Sequence, residues 1–250
     1  MIRGLYTSAM GMISQMQRMD VVSNNIANVD TVSFKRDHVV SHAFSDMLML
    51  RINDPGVRLF QQWPIGRVSP GVFVDDVHTD FAQGSLRQTG SPLHMAIHGP
   101  GFFVVSVDGE ELFTRDGSFT MFHGMLLTTD GARVQGLNGD IILPHGEIVI
   151  GDNGRIYVDG EYVDTLQMVG FENMQHLRKM QDNLFRPTED AVRAAFQGQI
   201  RQGFLENSNI NSVAEMVQLI NLSRAFEINS NMITIQDQTL QRAANDIVGR

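Results

Sequence analysis

The chain has 250 residues, 42% of them hydrophobic and 19% charged, enough to bury one or two cores. It has no cysteine, which excludes disulfides, thiolate nucleophiles and thiolate metal sites. Its net charge of −9 argues against a nucleic-acid partner, because counterion displacement needs clustered Lys and Arg.

The start combines Arg3 with a mixed apolar stretch, faintly like a secretory leader. Thr7, Ser8 and Ser14 break that stretch and the helical pattern runs on through it, so no cleaved leader is expected. No run approaches the ~18 apolar residues of a membrane span, so no membrane insertion is expected either. Ile2, Leu5, Ala9, Met12, Met16, Met19, Ser23 and Ile26 alternate in steps of three and four, which predicts a helix with one packing seam. At 1.5 Å per residue it would be ~40 Å long. Asn24, Asn25, Asn28, Asp30 and Thr31 then compete for backbone hydrogen bonds, which places its end near Asn28.

Residues 37–71 read as a connector. A short helical stretch is expected around Ser41–Arg51, followed by turns at Asn53-Asp54-Pro55-Gly56 and Ser69-Pro70-Gly71. From Val72 the period changes to two. Strands are expected at Val72–Val77, Met95–Ile97, Phe102–Val107, Ile141–Leu143, Ile148–Ile150, Ile156–Val158 and Leu166–Val169. Asp108-Gly109, Asp116-Gly117, Asp130-Gly131, Asn138-Gly139, Asn153-Gly154 and Asp159-Gly160 punctuate them as hairpin turns. A spacing of about 22 residues between some of these dipeptides marks consecutive hairpins.

The C-terminal segment again reads as a helix. Leu219, Phe226, Ile233, Leu240 and Ile247 recur every seventh residue, with Leu222 and Ala243 at the paired positions. Asn229 and Gln236 interrupt this seam and are candidates to fix its register. Val213, Val217, Ile220, Ile228, Met232 and Ile235 form a second apolar line, wider than one partner covers. Asn209 or Asn211 is placed to cap the start, with Glu215 in the early turns. One modest, Met-rich seam barely offsets the entropy of ordering the first helix, so partner-ordered ends are expected beside the simpler antiparallel hairpin within one domain. Arg3, Arg18, Lys35 and Arg36 against Asp20 and Asp30 leave residues 1–36 at +2. Three arginines against four acids leave residues 211–250 at −1, so the middle holds −10. Near-neutral ends suit surfaces that protein will cover.

The sequence offers little chemistry. The acidic turns match no calcium loop with its closing Glu. His94 and His98 are four apart but lack a third ligand. Gly99-Pro100-Gly101 is not followed by the Lys-Ser or Lys-Thr of a phosphate loop, and no Gly-x-Ser-x-Gly elbow occurs. No catalytic, cofactor-binding or metal-binding residue is assigned, no cofactor is expected, and a structural protein is expected rather than an enzyme.

Three separated stretches resemble a known family. Ser23-Asn24-Asn25-Ile26-Ala27-Asn28-Val29-Asp30-Thr31, closing with Phe34-Lys35-Arg36, is similar to the N-terminal signature of bacterial flagellar rod and hook axial proteins. Thr79-Asp80-Phe81-Ala82-Gln83-Gly84-Ser85-Leu86, Ala96–Phe103 and Phe113-Thr114-Arg115-Asp116-Gly117-Ser118-Phe119 resemble its core. Leu205-Glu206-Asn207-Ser208-Asn209-Ile210-Asn211, Glu215-Met216-Val217 and Arg224-Ala225-Phe226-Glu227 resemble its C-terminal signature. Two positions depart from the family: Ser33 stands where Gly is usual before Phe34, and His94 where Asp is common. The resemblance implies a subunit of the basal-body rod, exported through the flagellar type III apparatus without a cleaved signal, with itself and other rod or hook axial proteins as partners. Length favours the proximal member of the rod, while the C-terminal signature fits the distal member equally well.

The fold class expected is α+β, with long N- and C-terminal helices pairing as a coiled coil around a central hairpin-rich all-β domain. The expected segments are 1–36, 37–71, 72–204 and 205–250. Assembly residues are Leu5, Met12, Met16, Met19, Ile26, Leu219, Phe226, Ile233, Leu240 and Ile247, and signature residues are Asn24, Asn25, Asn28, Phe34, Glu206, Ser208, Asn209 and Arg224. Two rival classes are a secreted β-domain adhesin and a metal-dependent enzyme using His94 and His98.

Overall fold

A computed structural model describes residues 2–51, 63–180 and 183–248. The class is α+β: a helix α1 (Ile2–Ala27), a β-rich middle, and a helix α2 (Ser212–Val248). The chain divides into two units, one of residues 1–24, 37–78 and 213–250, the other of residues 25–36 and 79–212.

In the first unit, Asp37–Ala43 pairs with Val72–Thr79, and Met47–Arg51 forms an antiparallel hairpin with Trp63–Val68. The expected helix around Ser41–Arg51 is therefore absent. Met47 and Leu48 are good helix formers, but intrinsic propensity is worth a fraction of a kcal/mol and strand pairing overrides it. The turn expected at residues 53–56 lies outside the described residues. The ribbon holds α1 through local contacts. Thr7 Oγ1 donates to the Pro70 carbonyl (3.1 Å) and Arg18 Nη2 donates to Ser41 Oγ (2.9 Å), while within the ribbon the tilted rings of Phe44 and Phe73 lie 4.9 Å apart.

The coiled coil is not found. Its supposed seam on α1 is not the buried line: Met16 is 48% exposed, while the most buried positions are Ser14, Val22 and Asn25. Where α2 comes against α1 it meets Gly4 and Gly11, one residue before Leu5 and Met12. A glycine offers no knob for a hole, so the interdigitation that defines a coiled coil does not form there.

The second unit centres on an antiparallel sheet in which Phe102–Val107 lies between Glu110–Thr114 and Arg133–Gly136. That strand is buried on both faces. Phe103 and Val105 enter one core with Phe119, Leu126, Val134, Ile141 and Ile156, while Phe102 and Val104 enter another with Phe113, Phe171, Leu177 and Phe185. Successive side chains of a strand point to opposite faces, so one six-residue segment feeds both cores. The edge-on packing of Phe102 and Phe113 against Phe171, with centroids at 5.8 and 5.0 Å, completes the second.

The turn dipeptides do as their chemistry requires at Asp108-Gly109 and Asp159-Gly160, where both residues have positive φ in two-residue hairpin loops. A third such loop, His123-Gly124, was not evident because His is a weak turn signal. Asp116-Gly117 differs. Gly117 keeps an ordinary φ, but a Cβ there would run into the Met95 carbonyl, so close backbone approach demands glycine. Ile141–Leu143 alternates as expected, with Ile141 and Leu143 buried and Ile142 exposed, yet it forms only an isolated bridge with Met125.

Gly117→Ala is expected to lower stability by about 3 kcal/mol or more, since main chain must move. Gly109→Ala, whose Cβ would meet open space, is expected to cost about 1 kcal/mol from backbone strain alone. Urea unfolding midpoints of the purified proteins check the order; equal losses would count against the close approach.

Candidate functional site: a buried charge cluster joining the two terminal signatures

Within the β-rich unit, three charged side chains from three distant stretches are fully buried together. Lys35 lies at the close of the N-terminal signature, Arg115 in the core motif, and Glu206 near the start of the C-terminal signature. Lys35 Nζ donates to Glu206 Oε1 at 2.6 Å and to the Ala82 carbonyl at 2.9 Å. Arg115 Nη1 donates to Glu206 Oε2 at 3.3 Å. Its Nε and Nη2 donate to the carbonyls of Gly101 and Gly99. The Gly84 amide supplies another donor to Glu206 Oε1 at 2.8 Å.

Two buried cations share one buried carboxylate, with Asp80 acting on Lys35 from farther out. Burial pulls the ammonium of Lys35 below its usual range; Glu206 opposes that pull and Arg115 adds to it. Burial likewise lowers Arg115, again opposed by Glu206. Such charges are tolerable only when each is paired and hydrogen-bonded, and the backbone carbonyls complete that requirement. Gly84 is part of the construction: a Cβ there would run into the Asn207 carbonyl and push the two segments apart.

Around the cluster the signatures are laced together. The Ser33 amide donates to the Glu206 carbonyl and Ser33 Oγ to the Arg115 carbonyl, both at 2.8 Å. Ser33 has φ +56°, so the left-handed turn forms with Ser in the place of the usual Gly, and its hydroxyl bond offsets the strain. The Arg36 amide donates to Asn209 Oδ1, while Asn209 Nδ2 donates to the carbonyls of Asp80 and Ala82. A hairpin of Leu177–Lys179 and Leu184–Pro187 clasps the same segment. Lys179 Nζ lies 3.4 Å from the centre of the Phe34 ring and donates to the Lys35 carbonyl. Asn183 Nδ2 donates to the Val32 carbonyl at 2.6 Å.

Of the signature residues, Asn25, Phe34 and Glu206 are buried, Asn28 and Asn209 are half-buried, and Ser208 Oγ accepts from the Ile210 amide. Thr31 Oγ1 donates to Asn28 Oδ1, closing the turn after α1. Asn24 and Arg224 are exposed. Of the assembly residues, Leu5, Met12, Met19, Ile26, Leu219, Phe226, Ile233 and Leu240 are half-buried, Met16 is exposed, and the Ile247 side chain lies outside the described residues. The second line of α2 is exposed: Val213, Val217, Ile220, Ile228, Met232 and Ile235. His94 Nδ1 faces Thr89 Oγ1 at 2.9 Å, and His98 closes the strand Met95–His98 with its side chain exposed. Among the described residues no group of three His, Asp or Glu is arranged to hold a metal ion.

Lys35 and Arg115 were visible in the motifs, but nothing local marked them as partners of Glu206, 171 and 91 positions away. Lys179 and Asn183 gave no signal at all, because a lone lysine or asparagine in a hairpin reads as surface. The arrangement is a joint within the β-rich unit, tying the N-terminal signature to the core motif and the C-terminal signature.

Three models of known families match successive parts of the chain. Residues 5–35 match the model described as "Flagella basal body rod protein". Residues 96–158 match "Flagellar hook protein FlgE/F/G D1 domain", and residues 201–246 match "Flagellar basal body rod FlgEFG protein C-terminal". The chain is similar to the flagellar basal-body rod protein FlgG of Buchnera aphidicola subsp. Schizaphis graminum, 34% identical over 97% of this chain and 98% of the relative. It is 33% identical to FlgG of Bacillus subtilis over 98% of this chain and 99% of the relative. Its identity to flagellar basal-body rod protein FlgF of Caulobacter vibrioides is also 33%, over 100% of this chain and 99% of the relative.

Glu206→Gln is expected to lower stability by about 3–5 kcal/mol, because Lys35 and Arg115 then face each other without an anion. Replacing all three by Met, Met and Leu is expected to leave stability near that of the wild type. Urea midpoints of the purified proteins decide, and a Glu206→Gln midpoint equal to wild type would deny the cluster its role. At Ser33, Ala is expected to be worse than Gly by about 1 kcal/mol, since Ala loses the hydroxyl bond and keeps the backbone strain. Thermal unfolding of the two variants checks that order.

Proposed function

The chain belongs to the flagellar basal-body rod protein family and is a structural subunit of the rod, and we propose that its terminal helices supply the surfaces on which neighbours stack. The observation that supports this is the exposed stripe of α2, where Val213 is 69% and Ile228 63% exposed. Each such side chain gains about 1.5–3 kcal/mol when fully buried, so a row of six left in water is a strong drive to association. The half-buried residues Leu5, Met12, Met19 and Ile26, with exposed Met16, offer α1 as the complementary surface. Two different surfaces meeting head to tail generate an open helical array, which is what a rod requires.

In the same proposal the chain reaches the rod through the flagellar type III apparatus, without a cleaved leader, and works alongside other rod and hook proteins in the basal body. Among the described residues no helix is long and apolar enough to cross a membrane. Export in an unfolded state suits the joint: its ion pairs need residues from both signatures, so it closes only when the whole chain is present. The full-length match to rod relatives supports this reading over an adhesin or a histidine metalloenzyme.

Ile228→Asp or Phe226→Asp, expressed in a strain lacking this gene, is expected to abolish swimming while leaving the unfolding of the β-rich unit unchanged. Met16→Asp is expected to do the same from the α1 side. Undiminished swimming in all three would overturn the assignment of the helices as stacking surfaces.

A further inference from the structure

Glycine inside a helix costs about 1 kcal/mol relative to Ala, so Gly4 and Gly11 within α1 call for a packing reason. The structure supplies one. Gly4 lies against the side-chain amide of Gln236, and a Cβ on Gly11 would come within 3.2 Å of Asn229 Nδ2. Gly4 and Gly11 are seven apart on α1; Asn229 and Gln236 are seven apart on α2, in the opposite order along the chain. These amides are the two polar interruptions in the line Leu219, Phe226, Ile233 and Leu240. Both amides are half-buried, and Gln236 Oε1 itself is buried with no hydrogen-bond partner. The facing glycines have no side chain, which leaves the room these amides occupy.

We propose that Gly4–Gln236 and Gly11–Asn229 are a pair of register-setting contacts that fix the axial position of α1 against α2. The proposal rests on the rod-subunit reading and adds which residues set the stagger of the stacking surfaces. Only one antiparallel register fills both notches. Sliding by one helical turn sets Gln236 against Ser8 and Asn229 against Gln15, and sliding by seven residues leaves one amide without a notch. Sequence positions of equal apolarity do not distinguish these registers; the glycines do.

The test is a rescue experiment in a strain lacking this gene, whose loss of swimming separately checks the rod-subunit reading. Gly4→Ala is expected to reduce the swimming zone although Ala is the better helix former, because the Gln236 amide must leave its place, and Gly11→Ala to reduce it less, because it asks Asn229 to move by only a few tenths of an ångström. Adding Gln236→Ala to Gly4→Ala is expected to restore swimming. A Gly4→Ala strain that swims as wild type overturns the proposal, and so does a double variant no better than the single one. Because the natural chain has no cysteine, a second measurement reads the register directly. Gly11→Cys with Asn229→Cys is expected to form a disulfide under mild oxidation of isolated basal bodies, whereas Gly11→Cys with Leu222→Cys, one heptad away, is not. Equal cross-linking of the two pairs, or none in the first, also overturns it.

Discussion

Lys35 and Arg115 are buried together, and Glu206 is the anion they share. The remaining order of the β-rich unit near its ends follows from that requirement. A buried charge must be paired and its spare donors satisfied, so the segments holding Ala82, Gly84, Gly99 and Gly101 have to bring their backbone groups to the cluster. Gly84 must be glycine for Asn207 to approach, and Ser33 must take a left-handed turn for its amide to reach the Glu206 carbonyl. The cluster thus turns two stretches at opposite ends of the sequence into one joint. Apolar side chains of equal volume would hold these segments as well; what charges add is intolerance of a missing partner.

The joint and the two cores divide the work. Phe102–Val107 contributes alternate residues to both cores and gives the unit its bulk stability. The joint ties residues 33–36 to residues 206–209 within the same unit. The hairpin carrying Lys179 and Asn183 reinforces that grip by holding the Phe34 ring and two carbonyls. The helices themselves are less self-sufficient. In the stacking proposed above, neighbours cover their exposed apolar residues, while the acidic load lies on the middle. A subunit of a rod has this need: firm within itself, incomplete at the surfaces that will be covered.

Where the sequence misled, a short-range signal lost to a long-range one. Ser41–Arg51 contains helix-forming residues, yet Met47–Arg51 finds a strand partner at Trp63–Val68. The heptad on α1 is real as a pattern, but packing passes through Gly4 and Gly11 beside it, because a close approach of two helices favours the residues that leave room. Periodicity counts apolar side chains and is blind to contacts made by their absence.

The sequence by itself determined the α+β class, the two terminal helices nearly to the residue, six strands of the middle, the hairpin turns at Asp108-Gly109 and Asp159-Gly160, and, through three motifs, the family. Each of these rests on interactions between residues close in the chain or on a pattern repeated along it. Tertiary structure alone decided that Lys35, Arg115 and Glu206 are partners, that Lys179 and Asn183 clasp the N-terminal signature, and that Gly4 and Gly11 face α2. Those contacts join residues up to 232 positions apart, as between Gly4 and Gln236. No local spacing encodes them, because the free energy that selects them exists only once the segments are folded against each other.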